Sequence, residues 1–419
     1  MTLSAQPRPV RPDPSASPKL FLEADFRRLW LTGLIAFFVR WMEILVFGVF
    51  TYQQTGSAFL VASMIMLRLV PLAVLGVPFG ALAARLSRRV GLIVSMAVLS
   101  ATALALFFIA WLGQLAVWHL AVGSVINGIA WAGDSPLRRG LIGDVAGPLR
   151  MGNAMALDVG ASNASRLAGP AVGGLLLAHI GMSALFLLCA VLQLVALAAV
   201  LRIQHRETPR EASITGLKAT LAAGFLAARD SPRLAGALWI TVLFNIFAWP
   251  VLSMVPVIGK DRLGLGADGI GLLASMDGLG SLFGALLLAV LSRPALYGPL
   301  YVGGVILFLS VLPVLALSTH VPLSGGALLL LGMGQSAFAV MQSTIVYVAA
   351  PPDRRPQAMG LLTMCIGTGP IGFLLLGWLA EQQGASVAAV ISATSGLLVL
   401  ALTWRWWRPC WRNESPRGA

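Results

Sequence analysis

A chain of 419 residues that is 58% hydrophobic and only 11% charged stands far from soluble domains, in which charged residues make up about 25%. Its mean hydropathy of +0.86 points the same way and excludes a soluble enzyme. The net charge of +13, from 29 Lys and Arg against 16 Asp and Glu, would indicate nucleic acid in a soluble protein, so its placement along the chain decides its meaning.

Residues 1–20 carry five prolines among Ser, Arg and Asp with no apolar core. Such a composition predicts a disordered cytoplasmic head over 1–25, not a cleaved signal peptide. Twelve apolar stretches follow, each about the 20 residues that a bilayer crossing requires. They fall at 27–51, 58–83, 90–112, 116–137, 153–177, 181–201, 235–258, 269–291, 298–318, 323–348, 358–380 and 385–407. The chain is therefore read as an all-α polytopic membrane protein. A polar interval at 203–234 separates six spans over 26–202 from six over 235–407, and a basic cytoplasmic tail closes the chain at 408–419. Within that linker, Leu217, Leu221 and Phe225 recur at helical spacing beside Lys218, which predicts an amphipathic helix on the membrane surface over 214–228.

With the N-terminus placed in the cytoplasm, 24 of the 29 Lys and Arg residues fall on the cytoplasmic side, including Arg138 and Arg139 after span four. Lys260 and Arg262 lie outside, and Arg40, Arg68 and Arg166 lie within spans. That asymmetry is the positive-inside rule, so the basic charge records topology and speaks against a nucleic-acid partner. Both termini are expected in the cytoplasm. Cys189, Cys365 and Cys410 show no metal-ligand spacing, so neither disulfide nor metal is expected. His119, His179, His205 and His320 read as interfacial or solvated groups.

Two internal echoes support a duplication. Phe79-Gly80-Ala81-Leu82 with Leu86-Ser87-Arg88 returns as Phe283-Gly284-Ala285-Leu286 with Leu291-Ser292-Arg293, about 204 residues later. Gly169-Pro170 before Gly173 returns as Gly369-Pro370 before Gly372, at an offset of 200. Both pairs sit at equivalent places in the halves, as a parallel 6+6 repeat leaves them.

The sequence Gly80-x-Leu82-Ala83-x-Arg85-x-x-Arg88-Arg89 after span two, with twelve spans and a central loop, resembles the major facilitator superfamily over residues 27–407. The resemblance implies two six-helix bundles around a central cavity open alternately to each side. Gly80, Arg85, Arg88 and Arg89 would be gating elements, or they would only fix topology. Ala84 stands where the family carries an acid and Ser87 where it carries a second glycine. Asp144 in the next cytoplasmic loop is a candidate for the missing charge. Arg40-Trp41-Met42-Glu43, Thr55-Gly56-Ser57, Arg68-Leu69-Val70-Pro71, Asn153-Ala154 and Pro352-x-Arg354-Arg355 are similar to the branch containing the enterobactin exporter and macrolide efflux proteins. The stretch with Gly169, Pro170, Gly173 and Gly174 in span five resembles a motif of antiporters that export. Its residues allow a bend or, alternatively, ordinary close helix packing.

No phosphate-binding Gly-x-x-x-x-Gly-Lys-Ser/Thr occurs, since Gly259-Lys260 is preceded by Met254 where the first glycine would stand. A secondary carrier drawing on a proton gradient, with no cofactor, is the expectation. Intramembrane charges cost about 2.5 to 3.5 kcal/mol each on insertion scales, so each calls for a purpose. Arg40 and Glu43 share a helix face and would pair with each other, either as a proton site or as a static bridge. Arg68 and Arg166 are read as lone cations that bind an anionic substrate or pair with Glu43, Asp134 or Asp158. Asp277, flanked by Gly271, Gly278 and Gly280, is the isolated proton-site candidate of the second half, or else caps a broken helix. Asn245, Gln335, Gln342 and Trp41 are candidates for the substrate cavity, as are the rings of Trp131, Trp249 and Phe244.

These readings predict a monomeric exporter of the bacterial inner membrane that moves a siderophore or hydrophobic drug by proton antiport. The alternatives are an importer of a metabolite or lysophospholipid, a non-transporting sensor or scaffold, and a membrane-embedded enzyme. No clustered nucleophile, base or metal set supports the last.

Overall fold

The computed structural model describes residues 20–85, 87–205, 217–351 and 354–411. Most of the expected head, residues 206–216 of the linker and the end of the tail lie outside them. Of Gly80 only the helical backbone is described, and the side chain of Arg85 lies outside the described residues.

The first half begins with α1 (Ala24–Thr55), a 32-residue helix that stops at Gly56, whose φ of 65° lets its N–H reach back to Tyr52 O. Helix α2 (Ala58–Arg85) leads to α3 (Arg88–Trp111), where the Ser87 hydroxyl caps the first turn by accepting from Val90 N. Spans four and five follow as α4 (Val117–His179), two helical arms that meet at Gly147 with no loop between them. At a rise of about 1.5 Å per residue its 63 residues are far longer than one crossing, and each arm is long enough for a crossing of its own. The reversal occurs at Gly147, whose φ of 71° is the one non-helical conformation inside it. The residues expected to form a loop at 138–152 are helical on both sides of that glycine. Helix α5 (Gly181–Leu201) completes this half.

The second half opens with α6 (Leu217–Asp230), where the amphipathic linker helix was expected. Span seven is irregular: α7 (Pro232–Leu243) passes through a π turn at Phe244–Ala248 and a 3-10 turn at Trp249–Met254 into α8 (Val255–Asp261). Pro250 lacks an N–H, and the altered register leaves backbone carbonyls for side chains to satisfy. Ser392 Oγ donates to Phe247 O at 2.7 Å. Helices α9 (Ala267–Leu291), α10 (Tyr297–Leu317) and α11 (Val321–Ala349) follow. Span eleven is broken at Gly367 and Thr368 into α12 (Arg355–Ile366) and α13 (Gly369–Gln383). Span twelve, α14 (Ala385–Leu402), ends earlier than predicted, and a separate α15 (Trp404–Trp411) packs back on α7 through Trp239 and Trp406, with ring centroids 5.2 Å apart.

By length and apolar composition, nine helical segments among the described residues suffice to cross a bilayer. Helix α2 and the two arms of α4 complete the twelve. Each half buries its own core: Met42, Phe47 and Phe186 in the first, and Phe244, Tyr301 and Phe308 in the second. Lipid tails are as apolar as the side chains, so close backbone approach has to supply much of the association between helices. A Cβ at Gly280 would lie 1.9 Å from Leu329 O on α11, and one at Gly332 would lie 2.0 Å from Asp277 O on α9. Gly280→Val is therefore expected to destabilise the protein by about 1–3 kcal/mol in detergent thermal unfolding. Gly303→Ala, with no atom within 4 Å of the added carbon, is expected to unfold as the parent does.

Candidate functional site

The two halves enclose a cavity of about 370 Å³, walled by α1, α2, both arms of α4, the irregular α7–α8 segment, α9, α11 and α13. Its lining is mostly apolar and aromatic, with Phe37, Trp41, Trp131, Trp249 and Phe373 as the rings. Four guanidinium groups, of Arg40, Arg68, Arg139 and Arg166, reach it against the single carboxylate of Asp277.

The helices bring these charges together in a pattern that differs from the expected one. Glu43 does not pair with Arg40, its neighbour on α1. Its Oε2 accepts instead from Arg68 on α2 at 2.8 Å and from Asn127 on α4 at 2.9 Å. A residue three places along a helix shares a face, yet the adjacent helix presents a long side chain end-on, which suits a guanidinium and carboxylate better. Arg40 turns to Asp134, at 3.8 Å, and its guanidinium lies 4.4 Å from the Trp131 ring centroid.

Neither Arg68 nor Arg166 is alone. Arg166 on the second arm of α4 donates through Nε to Asp277 on α9 at 2.8 Å and through a terminal nitrogen to Gln335 on α11. The expected isolated acid of the second half is thus bonded across the interface between halves. The crossing is tight enough for this because a Cβ at Gly278 would meet Leu167 N at 2.5 Å. Arg166 also stacks over Trp41, 5.0 Å from its ring centroid.

Arg138, counted above with the cytoplasmic charges, is fully buried. It bonds Asp158, sits 3.8 Å from Asp134 and lies over the Phe37 ring at 4.8 Å. Arg139 shares Asp158 at 3.1 Å while keeping half of its side chain exposed. Gln335, which accepts from Arg166, does not line the cavity, and neither do Asn245 and Gln342. Asn245 donates to Thr241 O at 2.9 Å and Gln342 donates to Thr241 Oγ at 3.0 Å, both inside the second-half core. Phe244 belongs to that core as well, stacked on Phe338 with centroids 3.9 Å apart.

In span five, α4 keeps helical dihedrals through Pro170, and the glycines around it serve close approach on two sides. A Cβ at Gly173 would be 2.7 Å from Met42 on α1, and one at Gly174 would be 2.4 Å from Ala267 O on α9. After span two, Arg88 pairs with Asp144 at 2.6 Å and Arg89 donates to Leu201 O at 2.7 Å. An acid from the first arm of α4, Asp144, therefore stands beside the motif, in which Ala84 occupies the position expected to be acidic.

The two ends of the cavity differ. At the end away from the chain termini the halves are tied together: Tyr52 donates to Asp261, and Glu381 accepts from Ser57 Oγ at 2.9 Å and Phe59 N at 3.1 Å. Gly48 and Pro256 also close on each other there, with 3.2 Å left for an added Cβ. At the end near the termini, Arg88–Asp144, Arg150–Glu23 and Arg354–Asp230 each join residues of one half. Asn127, Tyr52, Asp261 and Glu381 were not singled out by sequence. The two acids at span ends, within reach of a facing span start, were the available signal.

The profile of a family described as transmembrane secretion effector matches residues 17–416. No curated protein matches the chain. Among solved structures, the nucleoside transporter NupG superposes with a TM-score of 0.74 at 13% identity, over 91% of this chain and all of that one. A POT family transporter in complex with 5-aminolevulinic acid gives 0.76 at 11% identity, over 92% of this chain and 96% of the other. A bacterial homologue of the human lysosomal transporter Spinster, in an inward-facing and unoccupied conformation, gives 0.70 at 16% identity, covering 96% and 100%. At these identities the likeness concerns the fold, which is that of the major facilitator type.

Removing one partner of a buried ion pair leaves the other uncompensated, at a cost of about 3–5 kcal/mol. Arg138→Leu is expected to lose that much stability in detergent unfolding, and Arg138→Leu with Asp158→Asn to recover part of it.

Proposed function

The chain belongs to the transmembrane secretion effector family of membrane transporters, and from that premise we propose that it exports a small molecule by proton-coupled alternating access. The observation that carries this reading is the Arg166–Asp277 bond between the halves at the cavity wall. Rocking of one bundle against the other must separate α4 from α9, and with them this pair. Breaking it with nothing in exchange costs about 3–5 kcal/mol. At 1.4 kcal/mol per tenfold, that holds the empty carrier back by roughly 100- to 1,000-fold or more.

Two events lower that barrier. An anionic group on the substrate takes the place of Asp277 on Arg166, or a proton neutralises Asp277 and frees Arg166 to Gln335. Substrate loading drives one stroke and proton loading the return, so the empty carrier does not leak. With the termini cytoplasmic, as the charge asymmetry favours, the closed end at Tyr52–Asp261 and Glu381 is external and the cavity faces the cytoplasm. That is the state in which an exporter collects its load.

The lining favours the kind of substrate. Four guanidiniums beside five aromatic rings suit an amphipathic aromatic anion, of which a catecholate or carboxylate siderophore is an example, over a lipophilic cation. Arg40 is the readiest contact, since its nearest carboxylate stands 3.8 Å away.

The test is uptake into inverted vesicles energised with a proton gradient, offered a labelled catecholate and a lipophilic cationic dye. Uncoupler-sensitive accumulation of the catecholate is expected. Asp277→Asn is expected to abolish accumulation against the gradient while retaining exchange of labelled for unlabelled substrate. Full uphill accumulation by Asp277→Asn would overturn the coupling scheme, and accumulation only in right-side-out vesicles would reverse the direction.

A further inference from the structure

The two walls of the cavity are chemically unequal. All four guanidiniums that line it, of Arg40, Arg68, Arg139 and Arg166, belong to the first half. The second half faces them with Trp249, Leu252, Val255, Pro256, Leu328 and Phe373, and with two polar groups that are already engaged. Asp277 accepts from Arg166 at 2.8 Å, and the Ser253 hydroxyl donates to Pro250 O at 2.6 Å.

The charges around the cavity do not balance. Arg40, Arg68, Arg138, Arg139 and Arg166 meet Glu43, Asp134, Asp158 and Asp277, which leaves one positive charge over. Its place follows from the hydrogen bonds. Arg68, Arg139 and Arg166 each donate to a carboxylate, at 2.8, 3.1 and 2.8 Å, and Arg138 bonds Asp158. Asp134 is left between Arg40 and Arg138, 3.8 Å from each. Arg138 is fully buried, whereas Arg40 borders the cavity. Among the described residues the Arg40 side chain makes no hydrogen bond, and its guanidinium rests against the rings of Trp131 and Phe37, 4.4 and 5.5 Å from their centroids. A guanidinium carries five N–H donors, and leaving them unanswered away from water is costly.

We propose that Arg40 seats the anionic head of a singly charged amphiphile, whose apolar body lies along the second-half wall at Trp249 and Phe373. This narrows the anion of the preceding subsection to one charge at one end; it rests on the cavity being the transport site, but not on direction or on protons. One negative charge cancels the surplus. A second charge at the far end of the molecule would stand on an apolar wall, and a cation would add to the surplus. The volume of about 370 Å³ suits one ligand of drug-like size. The arrangement is also compatible with rocking: the head stays with the bundle that carries Arg40, while the apolar wall of the other bundle attracts the body without fixed directions and can slide past it. Capture on Arg40 precedes any exchange on Arg166.

Equilibrium binding to the purified full-length chain in nanodiscs tests this, with empty discs as the blank and four tritiated probes that share one biphenyl body. The probes are the monocarboxylate, the dicarboxylate with a charge at each end, the neutral carboxamide and the methylammonium cation. The monocarboxylate is expected to bind about tenfold or more tighter than the other three. Arg40→Gln is expected to remove that preference while leaving the carboxamide within about twofold, and Arg40→Lys to keep part of it. Phe373→Ala is expected to weaken monocarboxylate and carboxamide by a similar factor, as loss of apolar contact does. Failure of the monocarboxylate to bind, a dicarboxylate or carboxamide that binds the parent protein as tightly, or an unchanged preference in folded Arg40→Gln would overturn the proposal. The expected preference without proton-dependent accumulation in inverted vesicles would support the seat and fail the coupling scheme alone. Proton-driven accumulation by a protein that binds all four probes alike would do the reverse.

Discussion

Charge buried in a membrane must be answered by opposite charge, and in this molecule the answer comes from other helices. Arg40, Arg68, Arg138, Arg139 and Arg166 face Glu43, Asp134, Asp158 and Asp277, with each contact linking α1 to α2, α1 to α4, one arm of α4 to the other, or α4 to α9, apart from the Arg138–Asp134 pair within α4. Insertion of these residues is tolerable only when the bundle has assembled around them. Electrostatics therefore works with packing: the pairs specify which helices meet, and the glycines let them come close enough to do so. The contact between α4 and α9 shows the dependence. Without glycine at 271, 174 and 278 the backbones would stand too far apart for Arg166 to reach Asp277.

Among the described residues, only that ion pair crosses between the halves inside the cavity wall, whereas the Glu43 and Asp158 clusters stay within the first half. The division has a mechanical meaning. Pairs internal to a bundle would move with it and be indifferent to rocking. A pair across the interface would, under the proposed mechanism, be broken in each cycle and so register what is bound. The ties of Tyr52 to Asp261 and of Glu381 to Ser57 and Phe59, at the end away from the termini, lie across the same interface, but where exposure to water lowers their worth.

Irregular backbone is concentrated in the second half, where span seven changes register around Pro250 and span eleven breaks at Gly367 and Thr368. These segments adjoin each other, since a Cβ at Gly372 would meet Ile246 O at 2.5 Å. Trp249 and Phe373, one from each, form a cavity corner with ring centroids 5.5 Å apart. Interrupted helices have fewer internal hydrogen bonds to break on bending, which makes this corner the compliant part of the wall and α4 with α9 the stiff part.

The sequence alone determined the membrane class, the twelve crossings, the division in two and the placement of Arg40, Glu43, Arg68, Arg166 and Asp277 within spans. Each of these depends on local apolar length or on residue type, which a chain carries whatever its fold. The same signal placed a loop at 138–152, because Arg138, Arg139 and Arg150 read as solvated charge, and it could not foresee that Arg138 turns inward to Asp158. Partner choice was the part that sequence left undecided. Glu43 beside Arg40 is the obvious pair by spacing, and Asp277 has no cation near it in the chain. Which acid meets which base depends on helix rotation and crossing distance, set by contacts between residues as far apart as 166 and 277. Tertiary packing alone decided those, through side chains from several helices that no periodicity in one of them records.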